Sequence, residues 1–187
     1  MSTESFGGPT VKKPAICFLP FVGLIALVGV VTAWGQSATL IEFEIADQFD
    51  RVYRSADYVG RIVYVLGSDG KGAKFNGAWG DAIYEELKDV EGFGDVAILP
   101  LAHLKSVPFF LKGTIKKKFP QEKDHWVLMD WKGLFNQAYG LEPKSTNILI
   151  FSADGNLVHQ AYGQEVDQEI LDQLLETLRE LLGASQR

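Results

Sequence analysis

The sequence predicts an α/β domain, a mixed central sheet flanked by helices and preceded by an N-terminal β-hairpin and one apolar segment. Three observations carry this. Apolar strand-length runs alternate with helix-period stretches between residues 61 and 140. Two strands joined by Asp154-Gly155 follow, a hairpin turn signal. The last amphipathic stretch then returns a helix to the sheet.

In order, residues 1–13 form a polar tail ending in Lys12-Lys13, and Pro14 to Trp34 runs 21 residues without a charge. A membrane-spanning helix needs about 20 residues. A signal peptide has an apolar region of about 7–15 and a small-residue cleavage site. Val31-Thr32-Ala33 and Ala33-Trp34-Gly35 could serve as such sites, so anchor and signal remain the two readings of residues 14–34. In either, the lysine pair stays inside and the rest is exported. The expectation is a single-pass inner-membrane protein with its domain on the periplasmic side, or a soluble periplasmic protein after cleavage. Residues 35–39 read as a linker and residues 40–187 as the domain.

Leu40–Ala46 reads as a strand, Asp47-Gln48-Phe49-Asp50 as a turn and Arg51–Tyr53 as the returning strand. Arg61–Leu66 is a near-continuous apolar run, the mark of a strand buried on both faces. Gly67 to Gly80 reads as a glycine-rich loop and Asp81–Lys88 as a helix, with Ile83 and Leu87 four apart. Val96–Leu99 is the next buried strand. Pro108 fits a first helical position, with Leu111, Ile115 and Phe119 as an apolar stripe beyond it. Trp126–Met129 is a strand and 132–139 a short helix ending at Gly140. Asn147–Phe151 and Leu157–Ala161 are the hairpin strands. A final helix from about Asp167 to Leu182 carries Ile170, Leu171, Leu174, Leu175, Leu178, Leu181 and Leu182 as a wide stripe.

The order of elements, with particular residues, resembles the thioredoxin-like superfamily in its redoxin branch of peroxiredoxins and membrane-tethered thiol–disulfide oxidoreductases. The stretches that carry the resemblance are Phe43-Glu44-Ile45-Ala46-Asp47-Gln48 and Ala56-Asp57-Tyr58-Val59-Gly60-Arg61-Ile62-Val63-Tyr64-Val65. Toward the other end they are Ala138-Tyr139-Gly140-Leu141 and Ile148-Leu149-Ile150-Phe151-Ser152-Ala153-Asp154-Gly155-Asn156-Leu157. The resemblance implies the fold over residues 40–182. It places the family's redox motif near Gly72, Ala73, Lys74 and Phe75, where there is no cysteine. The one cysteine, Cys17, lies in the apolar segment. A thiolate is the nucleophile of disulfide exchange, so the family's chemistry does not carry over. The family's cis-proline position falls near Ser145-Thr146, with Pro143 two residues early. The chain looks like a cysteine-less exported member.

Other chemistries find little purchase. The net charge is −6, and the part beyond residue 35 is more acidic still, which disfavours nucleic acid. His103, His125 and His159 lack metal-ligand spacing. Gly67-Ser68-Asp69-Gly70-Lys71-Gly72 is not a phosphate loop, because Lys71 is followed by glycine rather than serine or threonine. No cofactor or metal is expected. Asp69 and Asp81 flank the 67–80 stretch as a possible acid and base. The lysines 112, 116, 117 and 118 form a basic knot, and of Phe109 and Phe110 one is expected to be hard to bury, since neighbouring helix positions point about 100° apart.

The expected function is therefore a non-catalytic interaction module. It is pictured as an accessory or docking subunit on the periplasmic face of a membrane complex, respiratory or photosynthetic, tied to the bilayer by its first helix. Pro108, Phe109, Phe110, Lys112 and Lys116 are the candidate contacts to a membrane-associated protein or to lipid. The alternatives are an enzyme using Asp69, Lys71 or Lys74 without cysteine, and a redox protein borrowing a partner's thiol.

Overall fold

The computed structural model describes residues 38–185. The tail, the apolar segment with Cys17 and most of the linker lie outside the described residues. Five strands form the central sheet in the order β5-β4-β3-β6-β7. They are β3 (Val63–Ser68), β4 (Ala97–His103), β5 (Leu128–Asp130), β6 (Thr146–Phe151) and β7 (Leu157–Gly163). The first three run parallel, and β6 and β7 are antiparallel additions, with Val65 paired to both Leu99 and Leu149. A separate antiparallel pair, β1 (Glu44–Ala46) and β2 (Val52–Arg54), precedes the sheet.

Side chains alternate across a strand, so each apolar run feeds two cores. On one face Tyr64, Ile148 and Ile150 pack with Trp79, Ile83 and Leu87 of α1 (Ala73–Leu87) and with Leu171, Leu174, Leu175 and Leu178 of α4 (Gln168–Ser185). On the other, Val63, Val65, Leu99, Leu149 and Phe151 meet Phe43, Ile45, and Phe135 and Tyr139 of α3 (Leu134–Tyr139). Helix α4 starts where Asp167 accepts from the Ile170 N–H at 3.1 Å, a side-chain cap on an orphan donor. Helix α3 starts on Asp130, whose buried carboxylate accepts from the N–H groups of Gly133, Leu134 and Phe135 at 2.7, 3.0 and 3.1 Å.

Two expectations are corrected. The stretch from Gly67 to Gly80 is a loop only as far as Gly72, and residues 73–80 belong to α1. Gly77 and Gly80 each weaken a helix by about 1 kcal/mol relative to alanine, yet both have open space where a side chain would stand. Trp79, in the same turn, is fully buried beside Ile83 and Leu87, and that burial outweighs the glycines. The second correction concerns Pro108, which stands before the helix rather than in it. A 3-10 turn (Phe109–Leu111) follows, then the five-residue α2 (Lys112–Lys116). Ile115 and Phe119 pack on Ala102, Leu104 and Met129, whereas Leu111 stays exposed and leaves the expected stripe.

The turn between β1 and β2 holds the segment after α2. Gln48, nearly buried, donates through Nε2 to the carbonyls of Pro120 (3.1 Å) and His125 (2.7 Å) and accepts from the Val127 N–H at 2.8 Å. Arg51 donates to the Lys123 carbonyl at 2.9 Å, and Lys116 pairs with Asp50. Asp47 bridges to Leu128, which covers the β5 edge of the sheet at that point.

The chain enters the described domain at the opposite end of the sheet. The Leu40 N–H donates to the Gly155 carbonyl at 2.8 Å, and Thr39 bridges to Asn156, in the β6–β7 turn. That turn lies at the Val63 end of β3, since Val63 pairs with Phe151.

Candidate functional site

Strand β3 ends at Ser68, and α1 begins five residues later at Ala73. Gly72, Ala73, Lys74 and Phe75 therefore sit at the junction into that helix, where the resemblance puts a redox motif. The position is closed. A Cβ on Gly72 would stand 2.5 Å from the Ser145 carbonyl oxygen and 2.8 Å from the Ser145 nitrogen. Backbone meets backbone here, and only glycine permits that approach. The Ser145–Thr146 peptide is trans. Ala73 and Lys74 are exposed, and the Lys74 ammonium lies 4.6 Å from the centre of the Phe75 ring.

Asp69 fastens this junction. Its Oδ1 accepts from the N–H groups of Lys71 at 2.9 Å and Gly72 at 2.8 Å, and its Oδ2 from that of Lys144 at 3.1 Å. Lys144 has φ of 60°, a left-handed conformation that costs a non-glycine residue about 1–2 kcal/mol. The bond to Asp69 helps hold it there. Burial pulls the Asp69 carboxyl upward, but the donors from Gly72, Lys144 and Lys71 and the nearby His103 outweigh it and set its pKa below the ordinary value. Asp69 is thus a latch held as carboxylate. Asp81 lies inside α1, away from the junction that Asp69 fastens.

A second network was invisible in the sequence. The Thr146 hydroxyl donates to Asn76 Oδ1 at 2.9 Å, and Asn76 Nδ2 donates to Ser68 Oγ at 3.0 Å. It ties β6, α1 and β3 together at one end of the sheet. Asn147 accepts from the Glu142 N–H and donates to the carbonyls of Glu142 and Ser145, at 2.7, 2.9 and 3.2 Å. A cleft of about 380 Å³ beside these loops is bounded by Asp69, His103, Asn136, Glu142 and Asn147. The side chains of Asp69 and Asn147 are spent on backbone, whereas His103, on the same cleft, keeps a ring nitrogen without a hydrogen bond. A larger cleft of about 650 Å³, between Glu44, Arg54, Tyr58 and Asp154, lies at the far end of the sheet.

The histidines do not come together: His125 is exposed and 4.0 Å from Glu122, and His159 meets the Thr177 hydroxyl at 3.2 Å. His103 Nδ1 is buried without a hydrogen bond. Among the described residues no cluster of His, Cys, Asp and Glu could hold a metal ion, and no helix is long and apolar enough to cross a membrane.

The other candidate residues form a lobe after β4. Phe109 is 81% exposed and Phe110 72%, edge to face with each other at 6.1 Å and 87°. Both rings are outside the core, not one. The reason is that Pro108 and a 3-10 turn present them, in place of a helix with a buried face. Lys112 is engaged within the domain, 5.1 Å from the centre of the Trp131 ring, and Lys116 is paired with Asp50. Lys117 and Lys118 are exposed.

The Asp69 latch makes a pH prediction. With its pKa depressed in the folded state, the unfolded chain takes up this proton at a higher pH than the folded chain does. The latch is fully effective above the ordinary value of 3.8 and is lost as pH falls through the lower folded value. Asp69→Asn should flatten the acid-side fall in stability below about pH 4, read from denaturant melts across pH. An unchanged slope would show that Asp69 carries no such linkage.

No family model matches the chain, and no curated protein does. Solved structures do. One is the exposed lipoprotein thioredoxin of Streptococcus pneumoniae, 21% identical, with 73% of this chain and 99% of that one covered and a TM-score of 0.55. A thiol:disulfide interchange protein DsbE from Chlorobium tepidum is 16% identical, with 79% and 97% covered and a TM-score of 0.55. BsSco, a member of the Sco family of cytochrome c oxidase assembly proteins, is 10% identical, with 79% and 95% covered and a TM-score of 0.54. The chain has the thioredoxin-like fold, and its β3–α1 junction contains no cysteine.

Proposed function

We propose that this chain is a non-catalytic thioredoxin-fold module that works by contact. In this reading it is an accessory or docking subunit on the periplasmic face of a membrane complex, held there by residues 14–34. The observation that carries the reading is the closure of Gly72 onto the Ser145 backbone. A thiol at position 72 needs a side chain, and there the Ser145 backbone fills the space. The latch and the Ser68–Asn76–Thr146 network spend the neighbouring polar groups on structure. An enzyme site gathers free polar groups into a pocket, and on the cleft beside the junction Asp69 and Asn147 are spent on backbone while only His103 has a buried nitrogen without a hydrogen bond. The candidate contacts are Pro108, Phe109, Phe110, Lys112 and Lys116. The complex in this reading is a respiratory or a photosynthetic one.

The test uses full-length protein purified from its own membranes in mild detergent. Insulin-disulfide reduction and peroxide consumption should stay at the buffer rate, integral membrane subunits should co-purify, and the intact mass should begin at Met1. Turnover that survives dialysis would overturn the non-catalytic reading. A mature chain beginning near Trp34 or Gln36 would replace the anchor with a signal peptide.

A further inference from the structure

We infer that the lobe of residues 105–118 docks on a protein that offers an apolar pocket rimmed by acidic side chains. This rests on the contact reading above and adds the partner's chemistry. Its first ground is apolar. Phe109 and Phe110 are the most exposed aromatic side chains described, although Ile115 and Phe119 of the same lobe reach a core cluster. Each ring brings on the order of 150–250 Å² to an interface, enough to anchor a contact of hot-spot type.

The second ground is charge. Between Leu104 and Gln121 the sequence has five lysines and no acidic residue, in a chain of net charge −6. Lys116 is matched by Asp50, and Lys112 lies over Trp131. Lys105, Lys117 and Lys118 have no acidic partner among the described residues. A basic rim around two rings complements an acidic rim around a pocket, and rim charges set specificity and encounter rate.

The third ground is preorganisation. The chain enters the domain at the β6–β7 turn, while the lobe follows His103 at the other end of the sheet. The six residues of β3 lie between those ends, roughly 20 Å at about 3.3 Å per residue. The clamp from Gln48, Asp50 and Arg51 meanwhile fixes the segment behind the rings, so the lobe is preorganised.

The experiment places a benzophenone photocrosslinking amino acid at residue 109 of the full-length chain in its own membranes. A control carries it at Val59, which is 82% exposed and lines the far-end cleft. The expected result is a discrete protein adduct from residue 109, absent from residue 59, whose crosslinked peptide has more Asp and Glu than Lys and Arg. Lys117→Glu with Lys118→Glu should cut its yield by roughly fivefold, the scale expected for reversing two rim charges. Phe109→Ser with Phe110→Ser should abolish co-purification of that protein without moving the denaturation midpoint, which separates lost contact from lost fold. Lipid adducts at residue 109, a neutral or basic crosslinked peptide, or a yield equal to that at residue 59 would each overturn the inference. If those results arise while membrane subunits still co-purify, only the surface is wrong. If nothing co-purifies from any preparation, the contact reading fails with it.

Discussion

Leu178→Ala is expected to lower the stability of the domain by about 2–5 kcal/mol, and Trp79→Ala by about 3–5 kcal/mol. Both side chains have no exposed surface. They belong to the cluster in which α1 and α4 close one face of the sheet, so truncation leaves a cavity that neither helix can fill without shifting its neighbours. The Trp79 ring also lies against Gly163, where an added Cβ would stand 2.8 Å from its Cζ2. The indole is thus packed against the backbone of the edge strand β7. Its N–H has no hydrogen-bond partner. Trp79→Phe should therefore cost clearly less than Trp79→Ala, because it removes an unmatched donor while keeping a ring. Urea midpoints at constant m-value decide it. A loss below about 0.5 kcal/mol for Leu178→Ala would show that the α4 stripe does not cover the sheet.

Placing cysteines at Gly72 and Phe75 should not confer disulfide exchange. The Gly72→Cys change drives a Cβ to within 2.5 Å of the Ser145 carbonyl. Backbone on both sides must move, and overpacking of that kind costs about 1–3 kcal/mol or more. Relief by shifting the 143–146 loop pulls on the Lys144 N–H that Asp69 accepts. The expected outcome for Gly72→Cys with Phe75→Cys is a lower denaturation midpoint than Phe75→Cys alone and no insulin reduction. Turnover at even a small fraction of a thioredoxin's rate would mean that the junction opens readily, and the contact reading would lose its main support.

The central sheet was legible because its strands are apolar on both faces. The runs at 61–66, 96–99 and 147–151 all lie within or beside β3, β4 and β6. The start of α1 was obscured by glycine. Gly70, Gly72, Gly77 and Gly80 read as a loop, though the fourfold spacing of Trp79, Ile83 and Leu87 already marked one helical face. The resemblance assigned residues 72–75 to the family's motif position, but the close approach of Gly72 to Ser145 could not be read from the sequence. That closure depends on Ser145, and the Asp69–Lys144 bond that supports it joins residues 75 apart. Exposure of both Phe109 and Phe110 was half legible. Neighbouring positions on a helix would have buried one ring, and the 3-10 turn after Pro108 buries neither.

The clamp made by the β1–β2 turn has a consequence for how the module is put together. Gln48 reaches Pro120, His125 and Val127 across 72 to 79 positions of chain. Contacts of such separation, like the β3–β6 pairings that join residues 80 to 88 positions apart, form only when distant parts of the chain come together at the cost of loop entropy. The stretch from Lys116 to Val127 is therefore held by these bonds only where the β1–β2 turn is docked on it. A chain whose first stretch has not yet seated presents Phe109 and Phe110 on a loose support, at an ordering cost to any partner. Under the docking proposed above, completion of folding and competence to be recruited would be the same event.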